Sequence, residues 1–283
     1  MIGPLFLLLL FFLTIGLVVM QKVCSVKLDH RSAPIFFSGW TLIGLAGTWP
    51  LFGRLWIDGW KILRGGDFLM ALTIGKGALL YYVFFVSQRL MKVSLSSRHF
   101  VTPLAVGIVS ISNALLGEHL EPGQWFAALG LCGLSLVFFF RGHLADLDRR
   151  SRFDYFLLVG LSAPLSSLDH YLIKHINWYT VLVVSNIVLL GLGILLNLRQ
   201  KHVLRDAFLH KTAALAGIAY MLAELVKFYQ QVTINPVTAV VTAQAATKPV
   251  ILILSALIWK ERTAKEQMTW GVLALLISLP LFL

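Results

Sequence analysis

The chain has 283 residues, of which 58% are apolar and 13% charged, and its formal net charge is +11. Those proportions exclude a soluble protein of one or two domains: ten spans of roughly 20 residues use about 200 positions and leave only short connections, the arithmetic of a polytopic membrane protein. A nucleic-acid partner is excluded as well, because Lys and Arg lie almost wholly between the apolar runs, where they orient a chain in a bilayer.

Apolar runs of span length predict an all-α fold of ten transmembrane helices, at 4–23, 33–53, 68–88, 97–116, 121–140, 153–173, 178–198, 212–231, 236–259 and 265–283. The first run has no basic segment before it and no small-residue cleavage site after it, so it is read as a retained helix. An ionisable residue inside hydrocarbon costs at least about 2.5–3.5 kcal/mol, which makes each one a functional candidate. In the third run Lys76 stands between Gly75 and Gly77, where missing side chains let a ligand or a second helix approach the ammonium; the alternative is a lysine that snorkels to the interface. In the sixth, Asp169 and His170 precede Lys174 and His175 by about one turn. A solvated helix end is expected there, with a gate or proton relay as the alternative. In the eighth, Glu224 and Lys227 share a helix face and either neutralise one another or let Glu224 reach Lys248 or Lys76 across a cavity; Tyr220 lies one turn before. In the ninth, Lys248 precedes Pro249, whose missing N–H frees a backbone carbonyl beside Gln244 and Thr247.

The connection RGHLADLDRRSR, Arg141 to Arg152, separates two halves, 1–140 and 153–283. Gly117-Glu118, with Gln124 six residues after the Glu, recurs as Lys260-Glu261 with Gln267 six residues after its Glu. Pro103 and Pro249 precede them at similar distances. Five spans per half is an odd number, so the second half enters the membrane inverted, a plan characteristic of secondary transporters. Odd-numbered connections carry sixteen Lys and Arg against four on the other face, which places both termini outside the cytoplasm.

The segment TPLAVGIVSISNALLGEHLEPGQWFAALGLCGLSLVF resembles the EamA repeat of the drug/metabolite transporter superfamily, and NPVTAVVTAQAATKPVILILSALIWKERTAKEQMTWGVLALL resembles its second copy. The resemblance covers essentially the whole chain and implies ten helices, an inverted five-plus-five repeat, a central cavity and transport of metabolites. It also implies cytoplasmic termini, against which the charge count stands. Small multidrug relatives carry an acidic residue in their first helix. This chain has none there, which argues against exchange of lipophilic cations for protons.

The expected function is therefore secondary-active transport, by alternating access, of a small anionic or zwitterionic metabolite such as an amino acid or organic acid. Substrate binding falls to Lys76, Tyr220, Gln244, Thr247 and Lys248, and ion or proton coupling to Glu224, Lys227, Asp169 and His170. Three lysines against two acids leave one positive charge for an anion to balance. Glu118 and Glu261, at helix junctions, read as capping or orienting groups. The bland alternatives are a lipid-handling translocase and a non-transporting regulatory protein. An enzyme is not expected: H-E-x-x-H, G-x-S-x-G and the nucleotide-binding G-x-x-x-x-G-K-[ST] are all missing. Cys24 and Cys132 have no metal-ligand spacing, so neither a metal nor another cofactor is expected. The partners implied are a small-molecule substrate, the lipid bilayer of a bacterial-type inner membrane, and protons, with the chain acting as a monomer or homodimer.

Overall fold

Long Leu-, Phe- and Ala-rich stretches become helices because a hydrocarbon solvent offers backbone N–H and C=O groups no partner, and a helix pairs them within the segment. The computed structural model describes residues 2–115, 117, 119–143, 147–233, 247, 250–261, 264–278 and 280. These are 92% helical and contain no strand. The helices are α1 (Ile2–Lys27), α2 (Ala33–Gly47), α3 (Trp49–Gly65), α4 (Asp67–Val93), α5 (Leu95–Leu115) and α6 (Pro122–Phe138), which passes into a π-helical turn. They continue with α7 (Arg149–His175), α8 (Trp178–Asn197), α9 (Lys201–Leu209), α10 (Lys211–Thr233), α11 (Val250–Trp259) and α12 (Ala264–Ser278). Among the described residues five helices are long and apolar enough to cross a membrane, and up to seven if each of two bent pairs is one span. The protein is thus all-helical, with the segments of a membrane-embedded chain. Most of the ninth expected span lies outside the described residues.

The second expected span, 33–53, is not one straight helix. Its helix stops at Gly47 and α3 leaves at 104° to it. The cause is local: Pro50 sits in the first turn of α3, where a missing N–H favours a new helix start. Beyond it Arg54, Asp58, Lys61 and Arg64 form an exposed charged edge that resists entry into hydrocarbon. The stacked rings of Trp56 and Trp60, 5.4 Å apart, add the aromatic character of an interfacial helix. The connection after α8 holds a further unexpected helix, α9, bent by 64° from α10. Its Val203 and Ala207 are buried while Lys201 and Arg205 are exposed.

Helix ends are closed by polar side chains. Asp148 caps α7 by accepting from Ser151 N at 3.1 Å, and these bonds hold its exposed carboxyl below the usual carboxylate range. Glu121 and Gln124 close α6 with a capping box. Gln267, the expected counterpart of Gln124, is instead fully buried.

Packing interleaves the parts of the chain before and after the charged linker. Helix α4 lies against α7 and α8, α1 and α2 lie against α10, α2 also against α8, α5 against α6 and α7, and α6 against α12. A core of Phe36, Phe37, Phe84, Leu189 and Tyr220 fills the space between α2, α4, α8 and α10. At Gly77 a Cβ would fall 2.6 Å from Val188 Cβ and 2.8 Å from the Ser185 carbonyl, so glycine is what lets α4 and α8 meet; at Gly75 nothing lies within 4 Å. Gly77→Ala is accordingly expected to cost about 1–3 kcal/mol of stability in thermal unfolding of the detergent-solubilised protein. Gly75→Ala, the matched control, should leave the transition unmoved or raise it slightly.

Candidate functional site

Four ionisable side chains meet inside the helix bundle. Lys76 of α4, 2% exposed, forms an ion pair with Asp169 of α7, which is 7% exposed. Glu224 and Lys227 of α10 pair along their own helix at 3.4 Å. The buried ring of Phe228 lies between the two pairs: Lys76 Nζ is 5.3 Å from its centroid and Lys227 Nζ 5.4 Å. A desolvated ammonium on an aromatic face gains from the ring quadrupole, so Phe228 holds both cations without neutralising either. Tyr220, one turn before Glu224, packs against Phe37 at 5.0 Å and edge-on to Phe84 at 5.1 Å.

Beside this cluster lies a cavity of about 460 Å³. Ser166, His170, Ile173 and Lys174 of α7 form one wall; Asn177, Trp178, Leu55 and Val232 close the rest. Its rim is well fixed. The Leu55 carbonyl accepts from Asn177 Nδ2 at 2.9 Å and from Thr180 Oγ1 at 3.1 Å, while Asn177 caps α8 through Thr180 N. Helix α3 is thereby pinned over the start of α8. The volume is that of a small-molecule site, with few polar groups among apolar ones.

At the opposite ends of the same helices a second set of polar contacts closes the structure. Arg89 grips Asp154 with two parallel hydrogen bonds, and Asp154 is 1% exposed. Residue numbers run oppositely in Lys76–Asp169 and Arg89–Asp154, so α4 and α7 are antiparallel and joined by two ionic rungs, about 20 Å apart at 1.5 Å per residue. Lys22 of α1 donates to the Met91 carbonyl at 2.7 Å and pairs with Glu261 at 2.9 Å. Glu261 also accepts from Leu95 N at 2.7 Å, which caps α5. The capping role expected of Glu261 is met in this way, on a helix from the other end of the chain. Arg31 reaches Gln200 at 2.6 Å on the same side.

The sequence-predicted residues thus separate. Lys76, Asp169, Tyr220, Glu224 and Lys227 come together around Phe228. His170 lines the adjoining cavity, and Thr247 is buried. Gln244, Lys248 and Glu118 lie outside the described residues, as does Pro249. The expectation of a solvated helix end at Asp169 is corrected: α7 continues to His175, and the pair with Lys76 draws the carboxylate inward. Glu224 takes the partner on its own helix. The cavity takes its wall from α7, α3, the start of α8 and the end of α10. Reasoning from the sequence missed Lys22, Arg89 and Asp154. Each stands within two turns of a predicted span end, where snorkelling is cheap, so only the distant partner reveals its burial. No protein family model and no curated protein matches this chain.

Proposed function

We propose that this protein is a secondary-active membrane transporter of a small anionic or zwitterionic metabolite, built as an inverted five-plus-five repeat of the drug/metabolite transporter type with both termini outside the cytoplasm. The observation that carries the reading is the buried Lys76–Asp169 pair, with the partly buried Glu224–Lys227 pair next to it, beside a cavity of about 460 Å³. Buried charge of this density is costly, and in transporters it marks a solute or ion path.

The pattern of helix contacts supports the repeat. Exchanging α1 with α7, α2 with α8, α4 with α10 and α6 with α12 turns the α1–α10 contact into α7–α4 and the α2–α10 contact into α8–α4, all of which occur. The pairs α2–α8 and α6–α12 map onto themselves and also occur. The interfacial helix α3 between α2 and α4 corresponds to α9 between α8 and α10. The two-fold relation puts them on opposite faces, as a repeat axis in the membrane plane demands. The cavity adjoins one end of the bundle while Lys22–Glu261 and Arg89–Asp154 close the other, the arrangement of one limb of an alternating-access cycle.

Flux into liposomes holding the purified protein tests this reading. Organic anions or zwitterions are expected to enter saturably, and Lys76→Ala to abolish entry. Movement of cationic drugs with carboxylates left outside would overturn the substrate class.

A further inference from the structure

The two ion pairs of the cluster differ in what a conformational change does to them, and the difference assigns their roles within the transporter reading on which this inference rests. Glu224 and Lys227 are three residues apart on α10, so they travel together however that helix moves. Lys76 and Asp169 belong to α4 and α7, on either side of the charged linker, so rocking of one half against the other acts directly on their contact. Arg89 and Asp154 bridge the same helices, but through a two-pronged bond to a guanidinium that never gives up its charge. Asp169 is also the one acid of the cluster on the helix that walls the cavity: Ser166 one turn before it, His170 next to it and Ile173 one turn after it are all lining residues.

We propose that Asp169, and not Glu224, is the coupling acid, and that the transported solute carries a single net negative charge that replaces the Asp169 carboxylate on Lys76. A proton from cavity water adds to the carboxylate oxygen and ends the ion pair. The Lys76 ammonium keeps its own protons and donates to the anionic group of the solute. Before the step the pair holds one positive and one negative charge; afterwards an ammonium, a neutral acid and a monoanion again sum to zero. Each solute therefore moves with one proton, and no unpaired charge is left buried at any stage, the condition that makes a buried pair tolerable. Phe228 keeps the ammonium in place while its partners change. Among the described residues, the other ionisable groups near Asp169 are Tyr220 and Lys227 of α10, each with Glu224 beside it, and His170, its neighbour on α7. Helix α8 carries no Asp, Glu, Lys, Arg or His, and α5 carries Arg98 and His99 only in its first turn.

The test uses the full-length protein in liposomes under an inward proton gradient, with radiolabelled pyruvate and glutamate as monoanions, succinate as a dianion, alanine as a zwitterion and choline as a cation. The monoanions are expected to accumulate. Asp169→Asn should lose that accumulation while still exchanging external for preloaded solute, and Glu224→Gln should keep both activities. Infrared titration supplies a readout that needs no solute: a carboxyl stretch that grows with acid should vanish in Asp169→Asn and persist in Glu224→Gln. The double variant Lys76→Gln, Asp169→Asn removes both charges of the pair and with them the solute-binding ammonium, so if the single variant aggregates it serves the infrared readout alone: the band should be missing, and its persistence would overturn the assignment. Gradient-driven accumulation surviving in Asp169→Asn, a titrating band missing only from Glu224→Gln, or exchange lost along with accumulation in a monodisperse Asp169→Asn would overturn the assignment. An Asp169 band with none of the five probes moving would sink the transporter reading and leave Asp169 a titrating acid without cargo.

Discussion

Replacing Asp154 by alanine is expected to lower the stability of the solubilised protein by about 2–3 kcal/mol, less than the loss of a fully buried partner, because the Arg89 side chain left behind is 21% exposed and water meets part of its charge. Asp154 is 1% exposed, and its two oxygens take the Arg89 guanidinium side-on. Neighbouring Phe85, whose ring lies 5.2 Å from the guanidinium carbon, can shield the charge but not balance it. The double variant Arg89→Leu, Asp154→Leu should recover most of the loss, because apolar replacements remove both desolvation costs together. Thermal unfolding of Arg89→Leu, Asp154→Leu and the double variant completes the cycle. A single-variant loss under about 1 kcal/mol would mean that the pair behaves like a solvated surface bridge.

Glu261 carries the second large effect because one carboxylate serves two helices: it pairs with Lys22 of α1 and caps α5 through Leu95 N. Glu261→Ala leaves a lysine that is 3% exposed with, among the described residues, the Met91 carbonyl to bond, and removes the acceptor of Leu95 N, so a loss of about 3–5 kcal/mol is expected. Glu261→Gln keeps an acceptor for Leu95 N and should lose roughly half as much. Equal losses in the two variants would show that the charge contributes nothing and that the cap is the whole effect.

Hydropathy made the helical class and most helix positions legible, since a run such as 178–198 has few alternatives to α8. The bend at Thr48 was not, because Trp49, Leu51 and Phe52 continue the apolarity past Gly47, and hydropathy carries no direction. Its signals were present in Pro50 and in the three-to-four-residue spacing of Arg54, Asp58 and Lys61, which mark a helix with one wet edge. The short α9 was hidden by its charge for the same reason. In the candidate site Lys76 and the Glu224–Lys227 pair were legible because charge inside an apolar run is conspicuous. The burial of Asp169 was not, since Lys174 and His175 just beyond it look like an approach to water. What binds Asp169 inward is a lysine on another helix, and a pairing between distant segments leaves no mark in local composition.

The three ion pairs that join distant parts of the chain, among the described residues, share a polarity. Lys22, Lys76 and Arg89 all precede the charged linker, and Glu261, Asp169 and Asp154 all follow it. During synthesis these cations are therefore made before any of their anions exist; Lys22 and Arg89 can snorkel to water meanwhile, whereas Lys76, deeper in its span, waits at a cost of a few kcal/mol. The ionic rungs thus make the two parts of the chain complementary in charge: what the earlier part lacks to neutralise Lys22, Lys76 and Arg89, the later part supplies.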